Sequence, residues 1–194
     1  MIEIRACTPD DAAAVSTLLS ELGYTVPIRQ ATENIQALSK TGSDPIFVAV
    51  ADGRVVGLLA AHLCRMLQYA SPVVRVTALV VERRARHRGV GRLLMEHAEQ
   101  IGLAAGCEFV ELTSAMNRTE AHAFYRSIGY EPIHSAFVSH WSGGEDRTNS
   151  HPDRKSGKRP TPAISAAVCE RRLPQNVYVR DAMHASLDGR QVRG

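Results

Sequence analysis

The chain has 194 residues, of which 44% are hydrophobic, 22% charged and 5% aromatic. That length suits one domain, or one domain with an appendage, and is ample for a core. Its apolar runs are strand-length and broken by Arg or His, which excludes a membrane-spanning helix. The start Met-Ile-Glu-Ile-Arg lacks the features of a signal peptide, so a soluble, cytoplasmic protein with no membrane partner is expected. Cys7, Cys64, Cys107 and Cys169 stand far apart with no Cys-x-x-Cys, against a disulfide framework or a zinc knuckle. The net charge of +3 is uneven: residues 1–141 hold 13 Lys and Arg against 14 Asp and Glu, whereas residues 142–194 hold 10 against 6.

In chain order, Ile2-Glu3-Ile4-Arg5-Ala6 alternates apolar and polar residues, the period of a half-buried strand. Thr8-Pro9-Asp10-Asp11 has the form of a helix start, with a capping residue, a proline at the first helical position and two carboxylates for the positive dipole end. The stripe Ala14, Leu18, Leu19 and Leu22, stopped by Gly23, predicts the first helix. A second covers Ile28 to Ser39, with Ala31, Ile35 and Leu38 inward. Strands at 46–50 and 55–60 flank Asp52-Gly53, a strong hairpin signal, and Val73 to Val81 returns antiparallel. A helix runs from Gly89 to about Ala105, a strand from Glu108 to Thr113 and a helix from Arg118 to Ile128. Tyr130 to Ser139 holds one or two final strands. The order β-α-α-β-β-β-α-β-α-β predicts an α/β (α+β) fold, a mixed sheet with helices on its faces.

From Ser142 to about Pro162 the chain is rich in Gly, Ser, Pro and basic residues, which bury too little apolar surface to offset ordering. A boundary near Trp141 therefore separates a domain, 1–141, from a basic tail, 142–194, expected to be disordered or weakly structured. No aromatics interleave with Lys155, Lys158 and Arg159, so no nucleic-acid partner is expected. Residues 163–172 and 177–180 are read as a short helix and a strand that a second copy could cover in a homodimer.

Chemistry concentrates in residues 79–94. There a buried strand ends in Leu79-Val80-Val81, an arginine-rich loop follows, and Gly89-Val90-Gly91 opens an amphipathic helix. The first amides of a helix have no intrahelical partner and carry partial positive charge, so they suit phosphate. Gly89 and Gly91 remove side chains that would hold an anion away, and Arg86, Arg88 and Arg92 add forked donors. A Walker loop is excluded because no Gly-Lys-Ser/Thr is present, and Leu94 stands where a dinucleotide fingerprint needs its third glycine. A bare Gly-x-Gly is otherwise a helix start with incidental glycines.

Arg86-x-x-Gly89-x-Gly91 after an apolar strand resembles the pyrophosphate-binding motif of the GCN5-related N-acetyltransferases, the GNAT family, which bind acyl-coenzyme A. The stretch 121–130, Ala-His-Ala-Phe-Tyr-Arg-Ser-Ile-Gly-Tyr, is similar to that family's later signature, and the spacing between the two fits. The likeness covers roughly residues 1–140. It implies a GNAT-like, mostly antiparallel central sheet with helices on both faces and a splayed strand pair.

The resemblance also implies roles. The cofactor's pantetheine arm would pair with the backbone of Leu79, Val80 and Val81 in the splay. Its pyrophosphate would sit on the amides of His87, Arg88, Gly89, Val90, Gly91 and Arg92, flanked by Arg86 and Arg88. Tyr125 matches the tyrosine that protonates the departing thiolate. Asn117 stands eight residues before Tyr125, one more than the family spacing for an asparagine on the cofactor arm. Glu111, on a strand beside the splay, faces either the acceptor pocket or solvent and is the candidate base, with Glu82, Glu120 and His122 as lesser alternatives. No metal site is expected: His87 has no second ligand at metal spacing. The implied reaction is acetyl transfer from acetyl-coenzyme A to a primary amine of a small molecule, by direct attack in a ternary complex. The acceptor would be set by residues 25–41, 66–72 and those after Tyr130. The alternatives are acetylation of a protein amine, or a non-catalytic acyl-coenzyme A sensor or partner module.

Overall fold

A computed structural model describes residues 1–115, 117–136 and 166–172. Among them β1 (Ile2–Ala6) is followed by α1 (Ala12–Leu22), α2 (Ile28–Leu38), β2 (Ile46–Ala51), β3 (Arg54–Cys64) and β4 (Val73–Val81). Then come α3 (Val90–Ala104), β5 (Phe109–Ala115), α4 (Thr119–Ser127), β6 (Glu131–Ala136) and β7 (Ala166–Arg172). The strands form a single sheet in the order β1-β2-β3-β4-β5-β7-β6. Every neighbouring pair is antiparallel except β4–β5, whose parallel pairing is made possible by the crossover through α3. None of the described helices is long and apolar enough to cross a membrane.

Apolar residues on alternate positions fill both faces of this sheet. On one, Leu59, Ala61, Val74, Val76, Val110 and Leu112 pack with Leu94, Met95 and Ala98 of α3 and with Tyr125 of α4. On the other, Val48, Leu58 and Val80 pack with Val15 and Leu18 of α1 and Ala31 and Ile35 of α2. The α1 stripe is turned by about one residue from the expected one: Val15, not Ala14, is fully buried, while Leu19 and Leu22 lie at its edge. The turn before it follows the sequence cue. Asp11 accepts from the Thr8 amide at 2.8 Å and pairs with Arg5 at 2.8 Å, and the Arg5 guanidinium draws the Asp11 carboxyl down to about 2.

Two features of β4 position the site. Register with β3 shifts between Ala60 opposite Ala78 and Ala61 opposite Val76, so β4 carries an extra residue there and bends. Register with β5 holds for only three pairs, Val74–Val110, Arg75–Glu111 and Val76–Leu112. Beyond Val76 the two strands part, and β5 pairs along its length with β7.

That pairing corrects the expected domain boundary. Residues 166–172 lie beyond Trp141, yet they form a strand of the chain's own sheet, not a helix available to a second copy. The physical reason is the far edge of β5. Phe109, Val110 and Leu112 are fully buried, so the backbone beside them needs a strand partner rather than water. The remaining tail, including Lys155, Lys158, Arg159 and 177–180, lies outside the described residues.

Candidate active site

Where β4 leaves β5, a cleft of about 620 Å³ opens. One wall is Leu79, Val80 and Val81, another the loop and helix start at Arg86, His87, Gly89, Gly91 and Arg92. The third is the approach to α4, from Asn117 to Ala121, with Phe124, Tyr125 and Ile128, and the end of α1 adds Glu21 and Leu22. An antiparallel strand turns alternate backbone groups toward each side, so part of the backbone at 77–81 faces the opening with no strand to pair it.

The start of α3 is built to receive an anion. Gly89 stands at the cap with φ of +84°, a left-handed conformation costly for any residue with a Cβ. His87 also has positive φ, +61°, so the loop arrives in a conformation that side chains disfavour. The amides of residues 87–92 donate to no acceptor among the described residues, and the helix dipole adds partial positive charge there. Gly91 is required for a different reason. A Cβ at this position would stand 3.1 Å from Cζ of Phe124, so the helix start and α4 could not approach as closely.

Side chains brace the loop. Arg86 donates from Nε to the Val81 carbonyl at 3.1 Å and from Nη2 to Glu21 at 3.1 Å. The Arg83 amide donates to the same Glu21 carboxylate at 3.1 Å. Tyr125 is 8% exposed, its ring 5.3 Å from that of Phe124 and 6.3 Å from that of Tyr130. Tyr130 in turn donates to Glu99 at 3.1 Å. Asn117 lines the cleft despite its extra residue of spacing.

A model of the acetyltransferase (GNAT) family matches residues 12–130. The chain belongs to that family. It is 30% identical over 137 residues to an aminoalkylphosphonate N-acetyltransferase of Salmonella typhimurium, covering 70% of this chain and 89% of that one. It is also 30% identical over 132 residues to an aminoglycoside N(6')-acetyltransferase type 1 of Stenotrophomonas maltophilia, covering 66% and 85%. Among solved structures it is similar to yncA of Salmonella typhimurium, a putative acetyltransferase solved with acetyl-CoA. There the TM-score is 0.66 at 14% identity, covering 91% of this chain and 96% of that one. The splayed, mostly antiparallel sheet with helices on both faces is thus the GNAT fold, and the chain is an acetyltransferase.

Against this family frame, the structure gathers most of the expected residues into one cleft but not all. Leu79, Val80, Val81, Arg86, His87, Gly89, Gly91, Arg92, Asn117 and Tyr125 line it. Val90 contributes its amide to the helix start while its side chain is buried. Arg88 points elsewhere: it lines a separate depression of about 570 Å³ with Arg54, Arg84 and Glu82. Glu111 is 8% exposed and does not line the cleft; its Oε1 accepts from Nε of Arg75 at 2.5 Å and lies 2.5 Å from Nη2 as an ion pair. Its carboxylate is thus largely buried against Arg75 and lies outside the cleft lining. Glu21 escaped sequence reading, because a polar residue near a helix end carries no local sign of the loop it will brace 62 to 65 residues later.

Proposed function

We propose that this chain transfers an acetyl group from acetyl-coenzyme A to the primary amine of a small molecule, by direct attack in a ternary complex. The observation that carries the reading is the joining, in one cleft, of unpaired strand backbone at 77–81, unsatisfied amides at 87–92 and the ring of Tyr125. The two named relatives act on small amines, as their names state, which supports that acceptor class over a protein amine.

The amides of residues 87–92 and Arg86 bind the diphosphate of the co-substrate, with Arg86 held by Val81 and Glu21 in an orientation it need not search for. The open backbone of 77–81 pairs with the amide-bearing arm, which carries the thioester toward the closed end of the splay. Asn117 adds a polar contact from the facing wall. Tyr125 donates its phenolic proton to the leaving sulfur. A free thiol has a pKa of about 8.5, so protonation at sulfur favours carbon–sulfur cleavage over return of the amine. Glu111 is tied to Arg75, whose Nε donates to its Oε1.

The test is a panel of an aminoalkylphosphonate, an aminoglycoside and a peptide amine, assayed by thiol release from acetyl-coenzyme A. Turnover of a small amine is expected, with Tyr125→Phe lowering kcat about 100-fold and leaving coenzyme A affinity intact. Tight coenzyme A binding without turnover of any amine would replace this reading with a sensor.

A further inference from the structure

At the closed end of the splay the two faces of the sheet differ in kind. On the α3 and α4 side Val76, Leu112 and Tyr125 are buried in one cluster with Leu94, Met95 and Ala98. On the other side α1 and α2 cover Val48, Leu58 and Val80, and beyond these the face turns polar. There the register sets His62 of β3 opposite Arg75 of β4, and Arg75 opposite Glu111 of β5. Directly opposed residues project to one side, and Thr113, two positions past Glu111 on β5, shares that side. Arg75 and Thr113 are exposed, and Asp44 extends the row with Oδ1 2.7 Å from Nδ1 of His62.

We infer that Arg75 binds an acidic group of the acceptor, so that the amine this chain acetylates carries an oxyanion, phosphonate or carboxylate, a short chain away. This rests on the acetyl-transfer reading above. In that reading the core and the cofactor fill the α3 and α4 side of the splay, which leaves the polar face to the incoming amine. Arg75 stands one residue before the last β4–β5 pair, about 7 Å along the strand from the first open position of β4. An acceptor whose amine reaches the opening therefore has Arg75 beside the rest of its chain.

The guanidinium is tied along one edge only. Nε donates to Oε1 of Glu111, and Nη2 is ion-paired with the same oxygen. Nη1 meets no acceptor among the described residues, so part of the donor fork remains for a second oxyanion. Exposure decides the sign of what binds. The Arg75 side chain is 52% exposed and that of Glu111 11%, so a ligand arriving from solvent meets the cation and not the carboxylate. Glu111 also fixes the guanidinium in place, so little side-chain freedom is lost when the acid docks. A polyamine acceptor would need an open carboxylate instead. The other acid of the row, Asp44, is engaged by His62 and by the Ser43 hydroxyl at 2.8 Å.

The deciding experiment follows thiol release from acetyl-coenzyme A by the full chain with three primary amines of equal chain length. One ends in phosphonate, one in carboxylate and one in a hydroxyl. At least one acidic amine should exceed the hydroxyl amine in kcat/KM by about 10-fold, the worth of a charge-assisted bond, and the better of the two identifies the oxyanion. Arg75→Met combined with Glu111→Gln, which strands no buried carboxylate, should abolish that preference, with coenzyme A affinity retained to show the fold and cofactor cleft intact. Arg75→Lys, which keeps the charge but not the fork, should retain part of it. Equal kcat/KM for all three amines, or a preference that survives the loss of Arg75, overturns the assignment and leaves acetyl transfer standing. So does turnover of a polyamine with none of the three. A wild-type chain that acetylates no amine fails at the earlier step and takes both readings with it.

Discussion

Two depressions flank the loop of residues 82–89, nearly equal in size at about 620 and 570 Å³, and both are edged by its arginines. The smaller has Arg54, Arg84 and Arg88 against Glu82 and Asp52, and Arg84 and Arg88 make no ion pair among the described residues. By side-chain charge the two are equal, since the larger sets Arg86, Arg92 and Arg118 against Glu21 and Glu120. The larger has Arg86 already engaged by Glu21, yet it alone of the two has the open amides of the helix start, the unpaired side of β4 and Tyr125. On the reading proposed above, fixed backbone donors, which lose no side-chain freedom on binding, distinguish the larger depression, and side-chain charge does not.

The strongest way to break this contrast is to spoil the backbone cradle while leaving every charge in place. Gly91→Val should push the helix start off Phe124 and raise KM for acetyl-coenzyme A about 100-fold, a loss of about 3 kcal/mol. An unchanged KM would mean that the amides are not the anion site. A half-buried pair outside both depressions, Arg5 with Asp11, gives a scale for what a fixed charge contact is worth in this chain. The Asp11 carboxyl lies at about 2 when folded against 3.8 otherwise, so the folded state holds this proton less tightly than the unfolded chain. Its contribution, about 2 kcal/mol, is complete above the unfolded value and is lost as pH falls toward 2. Chemical denaturation of Asp11→Asn at neutral pH should show that deficit, and the deficit should shrink in acid. Finest is the comparison of the two arginines. Arg86→Ala should raise KM for acetyl-coenzyme A about 10-fold, the worth of a charge-assisted bond, and Arg88→Ala less than about 2-fold. Equal effects would erase the distinction between the depressions.

What could be read in advance was what is local in the chain. The two glycines, the arginine before them and the tyrosine near the end of α4 each act within a few residues of their neighbours, so their spacing carries the geometry. The direction of Arg88 was not readable, because it turns on a loop in which His87 takes positive φ, a conformation that its residue type does not announce. The ties from Glu21 to Arg83 and Arg86, and from His62 to Asp44, join residues 18 to 65 apart and exist only once strands and helices are packed. Glu111 lies one residue before the strands part, but its partner Arg75 depends on a cross-strand register of three pairs that no periodicity reveals. The sheet's seventh strand was missed because its segment follows a long polar stretch, and composition speaks only for the stretch.

That strand has a consequence for how the molecule is made. β7 sits between β5 and β6, although both precede it in the chain by 30 residues or more. A ribosome emits β5 and β6 first, so the inner rim of the sheet stays bare until residues 166–172 emerge and slide into place. Such late, long-range insertion is slow, and a bare rim recruits other chains meanwhile. Vectorial synthesis thus leaves the free edge of β5 without its strand partner until the chain has been made through residue 172.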